Sequence, residues 1–378
     1  MTYINAIGRT KFGNLGKDFP ELMYESIYNT FEDSKIRPEE IDAIFVSNYI
    51  GEITHNQAHL GAVASSLFPK LNIPVLRVEA ACASGGMALF SAINSLNSFK
   101  NILVIGIEIM NSIPTKKLIA GIASATDRKL EQDEGLIFPA AGALVTQQFM
   151  KKYDVTMDDL ALVSLKNHDN ANLNEYAHFY SKKITLDLIK TSKIICSPLR
   201  LFDCSPISDG AVSLIVSNEK KTNRDIKIRA TAAASSHIVL AKDNDLTTFP
   251  AVSISAEKAY KQANLLPKDM DMAEIHDGFT VTELIGMEDL MLCKKGESKY
   301  YIREGKTELN GEIPVNTDGG LKANGHPIGA TGLAQIYEIV TQLRKEAGKR
   351  QVDKADVGIA FNFGGLLGTS TVHILSNE

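Results

Sequence analysis

One cysteine in a turn of small residues is the strongest chemical feature of this sequence. Cys82 lies in the stretch 79–86, after an apolar run at 74–78 and before an amphipathic run at 87–99. This order predicts a strand-to-helix turn with the thiol at the positive end of the helix, where the helix dipole and free backbone N–H groups favour thiolate. Thiolate is a nucleophile, so the turn indicates an acyl-accepting cysteine. The alternative is a small buried hydrophobe, because free cysteines often pack in cores.

A second turn carries a histidine. Residues 325–332 read GHPIGATG, and the glycines allow close backbone approach with little steric cover around His326. An imidazole titrates near neutrality and can take the proton of a thiol. His326 is therefore predicted to face a pocket and to activate Cys82.

Two further turns follow apolar strands. His276 lies in EIHDGFT at 274–280 and could donate a hydrogen bond to an oxyanion, directly or through water; a structural role is the alternative. Residues 361–368 read FNFGGLLG, and such a chain can present the N–H of Gly364 to a developing negative charge. A simple β-turn is the alternative there.

The elements that must position these turns alternate between short apolar runs and longer amphipathic runs, which indicates an α/β protein. Helices are predicted at 21–32, 57–68, 84–99, 140–153, 253–264, 280–292 and 329–346. Strands are predicted at 41–47, 73–79, 101–107, 211–216, 226–234, 271–276, 356–361 and 369–375.

A faint internal repeat indicates duplication. PEEID at 38–42 resembles PKDMD at 267–271, and the turn at 82–85 corresponds to the turn at 326–329. If the halves are related by a pseudo-twofold axis, Cys82 and His326 occupy equivalent turns that could meet at one pocket. Chance similarity of two short segments is the alternative.

The repeat suggests three units. Residues 1–111 plus 201–220 form an N-terminal half, and residues 221–378 form a C-terminal half. Residues 112–200 are rich in Lys, Asn and Asp, break the rhythm, and are predicted to be an inserted lobe with one amphipathic helix.

Composition narrows the function classes. The chain has 378 residues and a formal net charge of −5, so no basic excess indicates nucleic acid. No apolar run approaches the ~18 residues of a membrane span, and residues 1–16 lack the apolar core of a signal peptide. The four cysteines show no CxxC spacing, so neither a metal site nor a disulfide framework is expected. A reducing, cytoplasmic location is predicted.

Together the four turns resemble the thiolase superfamily, and specifically its sterol-carrier-protein-x type. The resemblance covers about residues 3–375. It depends on the GHPxGATG motif at 325–332, the CASGG turn at 82–86, the DCS…SDGA segment at 203–211 and the His-Asp-x-Phe motif at 276–279. It implies an α/β thiolase fold: duplicated βαβαβαββ halves in five α-β-α-β-α layers, with an inserted loop lobe.

The resemblance also implies roles. Cys82 is the acyl-accepting nucleophile, His326 activates it and lines one oxyanion hole, and His276 holds the water or donor that completes this hole. The backbone N–H groups of Cys82 and Gly364 form a second hole around the thioester carbonyl. Acyl-coenzyme A is the implied substrate, with no permanently bound cofactor. A homodimer or homotetramer is implied, and some relatives work with a small OB-fold and zinc-ribbon partner subunit.

The chain departs from the family at its second catalytic cysteine. The two usual places for this thiol hold Asn362 and Gly278. A missing general base costs ~10²–10⁴ in rate, so carbon–carbon chemistry should be slow while acylation of Cys82 remains feasible.

Three functions stay open. One is a thiolase-like acyltransferase that passes the acyl group to a carbon nucleophile supplying its own acidity. Another is a conventional acetyl-coenzyme A C-acyltransferase that uses His276 or Cys293 as the missing acid/base. The third is a non-catalytic scaffold that binds acyl-coenzyme A or a partner.

Overall fold

The structure, a computed structural model, describes residues 1–243, 245–366 and 368–377. Leu367, in the predicted glycine-rich turn, lies outside the described residues. The strands are β1 Thr2–Arg9, β2 Ala43–Ser47, β3 Val75–Val78, β4 Asn101–Glu108, β5 Ile194–Cys196, β6 Leu199–Arg200, β7 Gly210–Ser217, β8 Ile226–Ser235, β9 Met272–Ile275, β10 Val357–Gly364 and β11 Thr369–Ser376. The helices are α1 Phe19–Glu32, α2 Gly51–His55, α3 Leu60–Ser66, α4 Ser84–Ser95, α5 Thr115–Ala123, α6 Phe138–Tyr153, α7 Met157–Asn172, α8 Leu186–Thr191, α9 Pro250–Ala263, α10 Thr280–Asp289, α11 Ser298–Arg303, α12 Gly320–Ala323 and α13 Ile328–Leu343.

One hydrogen-bonded sheet runs through both halves of the chain. Its order is β3-β2-β4-β7-β1-β8-β11-β10-β9. The halves meet where β1 pairs antiparallel with β8, Thr2 opposite Ile228. Val315 forms a parallel bridge to Ala273 on β9, so the strand order of the first half recurs in the second. This recurrence is what the predicted duplication requires.

Helices α4 and α13 form the middle layer. They pack on each other and on strands of both halves. A Cβ on Gly85 would lie 2.9 Å from the backbone N of Gly332, so this close crossing requires glycine. Helices α1 and α3 cover the outer face of the first half-sheet, and α9 packs on β8 and β11 of the second. The predicted five-layer α/β thiolase fold is confirmed.

The internal repeat has a physical basis in two equivalent aspartates. The Asp42 carboxylate accepts the backbone N–H groups of Lys100 and Asn101, at the start of β4. The Asp271 carboxylate accepts those of Asp356 and Val357, at the start of β10. Each aspartate follows a short 3₁₀ turn and fixes the start of the neighbouring parallel strand, so PEEID and PKDMD do the same structural work.

Two features of the fold escape the sequence pattern. Strand β1 is missing from the prediction, because Asn5 and Gly8 interrupt its apolar pattern. Residues 112–200, all described, contain four α-helices and a π-helical turn at Arg128–Gln132 where one helix is expected. Helix α7 buries Lys166, Asn167 and His168. Its polar composition is typical of an exposed segment, so the sequence pattern does not indicate a buried helix. Since α6 and α7 pack on helices of the C-terminal half, the predicted unit boundaries stay a prediction.

Among the described residues, no helix combines the length and hydropathy needed to cross a membrane.

Candidate active site

The Cys82 turn has the predicted strand-to-helix geometry. It lies between β3 and α4, and Ala81 takes a left-handed φ of 50°. The Ser84 hydroxyl holds this conformation, since it donates to Ala81 O at 2.5 Å and accepts from Ala80 N at 2.9 Å. A side chain at the start of α4 therefore fixes the turn that presents the sulfur.

The fold brings together all three predicted catalytic side chains. Cys82 Sγ and a ring nitrogen of each of His276 and His326 lie within 4.8 Å of one another. The two imidazole rings stand nearly perpendicular, at 89°, with their centroids 5.4 Å apart. Cys82 comes from the N-terminal half and both histidines from the C-terminal half, so the site forms at the junction of the duplicated units.

The hydrogen bonds of His326 assign its tautomer. Its Nδ1 lies 2.6 Å from Thr331 Oγ1, and that hydroxyl donates its single proton to Pro327 O at 3.1 Å. Nδ1 must then carry the proton, which leaves Nε2 with a free lone pair. His326 Nε2 is therefore free to accept a proton, as the predicted base of the site requires. The threonine that sets this state is the Thr of the GHPxGATG motif.

Asn362 assigns the tautomer of His276 in a similar way. Its Oδ1 accepts the N–H of Gly86 at 3.1 Å, so its Nδ2 faces His276 Nδ1 at 3.3 Å and donates to it. Nδ1 is thus unprotonated, and Nε2 carries the proton. That Nε2 lies beside Gly278 on the cavity wall. Asn362, which occupies a usual place of the second cysteine, makes His276 a hydrogen-bond donor.

Burial is the main cause of the pKa shifts of Cys82 and His326. It raises the pKa of the Cys82 thiol to about 12, against the opposing effect of the backbone N–H groups of Gly365 and of Cys82 itself. It lowers the pKa of His326 to about 3. Burial therefore outweighs the helix end that the sequence analysis expects to favour thiolate, and thiol and imidazole are both neutral at pH 7. The amide at the sulfur is that of Gly365, and the role of Gly364 N–H stays a prediction.

A buried carboxylate that the sequence analysis missed ties the His326 turn to the loop after β2. Glu108, at the end of β4, accepts the N–H groups of Tyr49, Ile50 and Gly329. Gly329 lies in the first turn of α13, directly after the His326 loop. Burial raises the pKa of Glu108 to about 7. The only sequence signal is an acidic residue at the end of an apolar strand.

A cavity of about 530 Å³ opens beside Cys82, and we call it the acyl chamber. Its volume lies in the usual range of small-molecule sites and exceeds what an acetyl group needs. The segment 112–200 supplies part of its wall. Gly278 also lines it. Its apolar wall includes Met110, Leu118, Ile122, Phe138, Phe179, Phe202, Phe279, Phe363 and Leu366.

Two other thiols bear on the missing second cysteine. Cys204 lines the acyl chamber, but its Sγ lies 3.6 Å from Arg200 O and donates to that carbonyl. Cys293 is not among the described residues of the chamber wall. It packs in the core of the C-terminal half, where burial raises its pKa to about 12. The geometry therefore gives Cys293 no contact with the acyl chamber.

The same three catalytic atoms could hold a metal ion. Thiolate and imidazole are the donors of zinc sites, and a bound zinc would occupy both the nucleophile and the base. The expected absence of a metal stays a prediction.

Gly364 offers a test of how tightly the nucleophile turn is packed. A Cβ there would lie 2.2 Å from Ala80 O and 3.0 Å from Ala83 Cβ, and backbone cannot give way cheaply. Gly364→Ala is expected to cost about 1–3 kcal/mol in the free energy of unfolding and to slow acylation of Cys82. Gly278→Ala is the control, because its nearest contact would be an ordinary 3.4 Å. Denaturant unfolding compares the two, and equal stability would contradict the packing.

A thiol, a free imidazole nitrogen and a second histidine donor at the wall of one chamber are the groups that an acyltransferase working through a cysteine needs. Family comparison gives the particular group. The model of the thiolase N-terminal domain matches residues 2–220, and that of the thiolase C-terminal domain-like region matches residues 232–377. The chain belongs to the thiolase family and is an acyltransferase.

Relatives agree with the predicted subgroup. The chain is 40% identical to an acetyl-CoA acetyltransferase of Methanothermobacter thermautotrophicus, over 98% of both chains. It is 30% identical to sterol carrier protein 2 of Bos taurus, over 96% of this chain and 70% of that protein. A solved structure of an Ltp2-ChsH2(DUF35) aldolase shares the fold, with a TM-score of 0.84 at 23% identity over 99% of this chain and 97% of that one. The predicted resemblance is confirmed.

Proposed function

We propose that this chain is an acetyl-coenzyme A C-acyltransferase. Cys82 takes an acyl group from a coenzyme A thioester and passes it to the α-carbon of a second thioester; the reverse reaction cleaves a 3-oxoacyl thioester. The observation that carries the proposal is the group of Cys82, His326 and His276, with a free base nitrogen on one histidine and a donor proton on the other. The 40% identical acetyl-CoA acetyltransferase supports the acetyl chemistry. Coenzyme A thioesters are substrates here, with no permanently bound cofactor.

The first half-reaction uses the tautomers as they stand. Cys82 Sγ attacks the thioester carbonyl while His326 Nε2 takes the thiol proton. His276 Nε2–H and backbone amides stabilise the oxyanion. The carbonyl reforms, the carbon–sulfur bond to coenzyme A breaks, and His326 returns the proton to the leaving thiolate. The products are S-acyl-Cys82, free coenzyme A and a neutral His326.

The second half-reaction has to work without a second thiol. His326 Nε2 is again free, so we assign it the α-proton of the second thioester. The enolate is stabilised by the donor proton of His276 and attacks the acyl carbonyl. The bond to Cys82 breaks, and the sulfur recovers the proton from His326. One base therefore serves both halves of the reaction.

Restoring the missing thiol should speed this second half. A Cβ at Gly278 would meet His276 Nε2 at 3.4 Å and Cδ2 at 3.7 Å, so cysteine fits. Gly278→Cys is expected to raise the kcat of acetoacetyl-coenzyme A thiolysis by roughly tenfold or more, given the ~10²–10⁴ that general bases contribute. The rate of Cys82 acylation should not change. Gly278→Ser is the size-matched control, and an equal gain in serine would show that acid/base chemistry is not the cause.

The pH profile follows from the buried base. Since burial lowers the pKa of His326 to about 3, its Nε2 stays unprotonated further into acid than an ordinary imidazole. The rate of Cys82 acylation should hold through pH 6.5 and begin to decline only at about pH 4, where this imidazole starts to take up a proton. Quenched-flow acylation from pH 4 to 8 measures this. An acid limb centred near 6.5, kept in His276→Asn, would contradict it.

Steady-state thiolysis tests the proposed function. With acetoacetyl-coenzyme A and coenzyme A, we expect acetyl-coenzyme A to form in wild type and in Cys293→Ser, but not in Cys82→Ala. Acylation of Cys82 without cleavage or condensation would overturn the carbon–carbon step and leave only acyl transfer.

One observation favours a second candidate, a larger acceptor that supplies its own acidity. The acyl chamber is mostly apolar and extends along the Gly278 side, where the family's second thiol is missing. A phenolic or 1,3-dicarbonyl acceptor would need no base from the protein. Such acceptors should discharge acyl-Cys82 faster than acetyl-coenzyme A does if this candidate is right.

Assembly with other chains is also part of the proposal. Exposed apolar side chains border the acyl chamber, among them Ile195 and Leu201. A small OB-fold and zinc-ribbon subunit would cover such a rim, and the similar Ltp2-ChsH2(DUF35) aldolase carries a DUF35 component in its name. Among the described strands, β3 ends the sheet with no strand on its outer edge, and a second copy could pair there in a homodimer or homotetramer.

A further inference from the structure

A buried ammonium in the acyl chamber lacks a counter-ion. Lys322 is 1% exposed and lines the chamber, and its Nζ donates to Cys204 O at 2.7 Å. Within the described part of the chain, no carboxylate lies in ion-pair distance of Nζ. The two carboxylates that interact with Lys322 through charge have closer partners. Asp203 pairs with Arg200 at 3.0 Å, and Asp277 accepts the backbone N–H groups of Leu321 and Lys322. Buried charges are normally paired, so this one calls for a partner.

A second polar side chain of the chamber is unsatisfied. His168 is 1% exposed, and neither of its ring nitrogens has a hydrogen-bond partner among the residues that the structure describes. Its ring lies edge-on to Phe179 and Phe202, with centroids 4.6 and 5.3 Å away. Buried polar atoms in native proteins nearly always find a partner. His168 lines the same chamber as Lys322 and Cys82, and its charge interaction with Lys322 places the two side chains near each other.

These two groups add polar atoms, apart from the catalytic residues, to the mostly apolar wall of the chamber. The ammonium supplies a positive charge, and a neutral imidazole supplies one N–H donor. A carboxylate has one charge and two acceptor oxygens, which matches this pair. The hydrocarbon wall suits a short methylene or aromatic spacer between that carboxylate and the thioester on Cys82.

We propose that the acyl group taken up by Cys82 ends in a carboxylate bound by Lys322 and His168. The donor would then be the coenzyme A monothioester of a dicarboxylic acid. This inference rests on the proposed function and names its substrate class. Lys322 and His168 act in binding, and the chemistry stays with Cys82 and His326.

Matched pairs of thioesters test the assignment. Glutaryl- is compared with pentanoyl-coenzyme A, and adipyl- with hexanoyl-coenzyme A, by the rate of Cys82 acylation measured as intact mass in the full-length protein. Wild type is expected to prefer at least one carboxylate-ended member by roughly ten- to hundredfold, the effect of a charge-assisted hydrogen bond. Lys322→Met keeps the side-chain length and should bring this ratio close to one. His168→Phe should lower the ratio by a smaller factor.

The ratio of the two acylation rates distinguishes a binding role of Lys322 from a structural one. A purely structural Lys322 would slow both members of a pair alike and leave the ratio unchanged, which would overturn the proposal. Absence of any preference in wild type would also overturn it, whether or not Lys322→Met folds. If none of the four thioesters left an adduct on Cys82 while acetoacetyl-coenzyme A was still cleaved, this substrate class would be overturned and the proposed function would stand. Loss of acetoacetyl-coenzyme A cleavage as well would overturn the proposed function, so the two failures are distinguishable.

Discussion

Replacing Cys82 with serine is expected to lower kcat for thiolysis by on the order of 10⁴–10⁶, the loss seen when a covalent nucleophile is disabled. The reason is chemical, because an alcohol is a much weaker acid and a poorer nucleophile than a thiol in a site shaped for sulfur. The rate of acetyl-coenzyme A formation measures the effect.

The structure offers a control for this substitution. Cys204 also lines the acyl chamber, but its sulfur donates to a backbone carbonyl, so Cys204→Ser should change the rate by only a small factor. If Cys82→Ser kept activity within tenfold of wild type, the nucleophile would be elsewhere.

Removing the base should have the second largest effect. His326→Ala is expected to lower the single-turnover rate of Cys82 acylation by about 10²–10⁴, the range for a lost general base. Because one base serves both half-reactions, the steady-state rate should fall further than the acylation rate. Quenched single-turnover and steady-state assays on the same variant separate the two.

The matched control for His326 is the hydroxyl that sets its tautomer. Thr331→Val removes the acceptor of Nδ1–H but leaves the imidazole in place. It should cost less than His326→Ala, roughly tenfold, since the base nitrogen survives with less orientation. Unchanged acylation in His326→Ala would contradict the assignment of Nε2 as base.

The position of Asn362 explains how this site can differ from a two-cysteine thiolase. The amide chain runs from Gly86 N–H to Asn362 and on to His276, where it fixes the donor proton. A Cβ on Gly332 would lie 2.3 Å from Asn362 Oδ1, so the two central helices close tightly around this amide. Asparagine therefore replaces an acid/base group with an orienting one.

Much of this site could be predicted from local sequence. The turns of Cys82 and His326 have short motifs in which glycine, threonine and serine each have a local structural task. The repeat at Asp42 and Asp271 could be found because each carboxylate acts on a neighbouring strand start. The resemblance then placed the two turns in one pocket.

What sequence could not give depends on contacts between distant segments. Glu108 meets Gly329 across 221 positions, and Gly86 meets Asn362 across 276. Helix α7 is buried although its residues are polar, because their partners lie in the C-terminal half. Lys166, for example, pairs with Glu283 at 2.7 Å. The pKa of Cys82 also depends on burial by the whole fold, which outweighs the local helix end.

Intact-mass analysis after mixing with a short-chain acyl-coenzyme A tests the central claim most directly. We expect one acyl adduct per chain, located on the Cys82 peptide, formed by wild type and by Cys204→Ser and Cys293→Ser, and absent in Cys82→Ala. No adduct on wild type, or an adduct that persists in Cys82→Ala, would contradict an enzyme built on this sulfur.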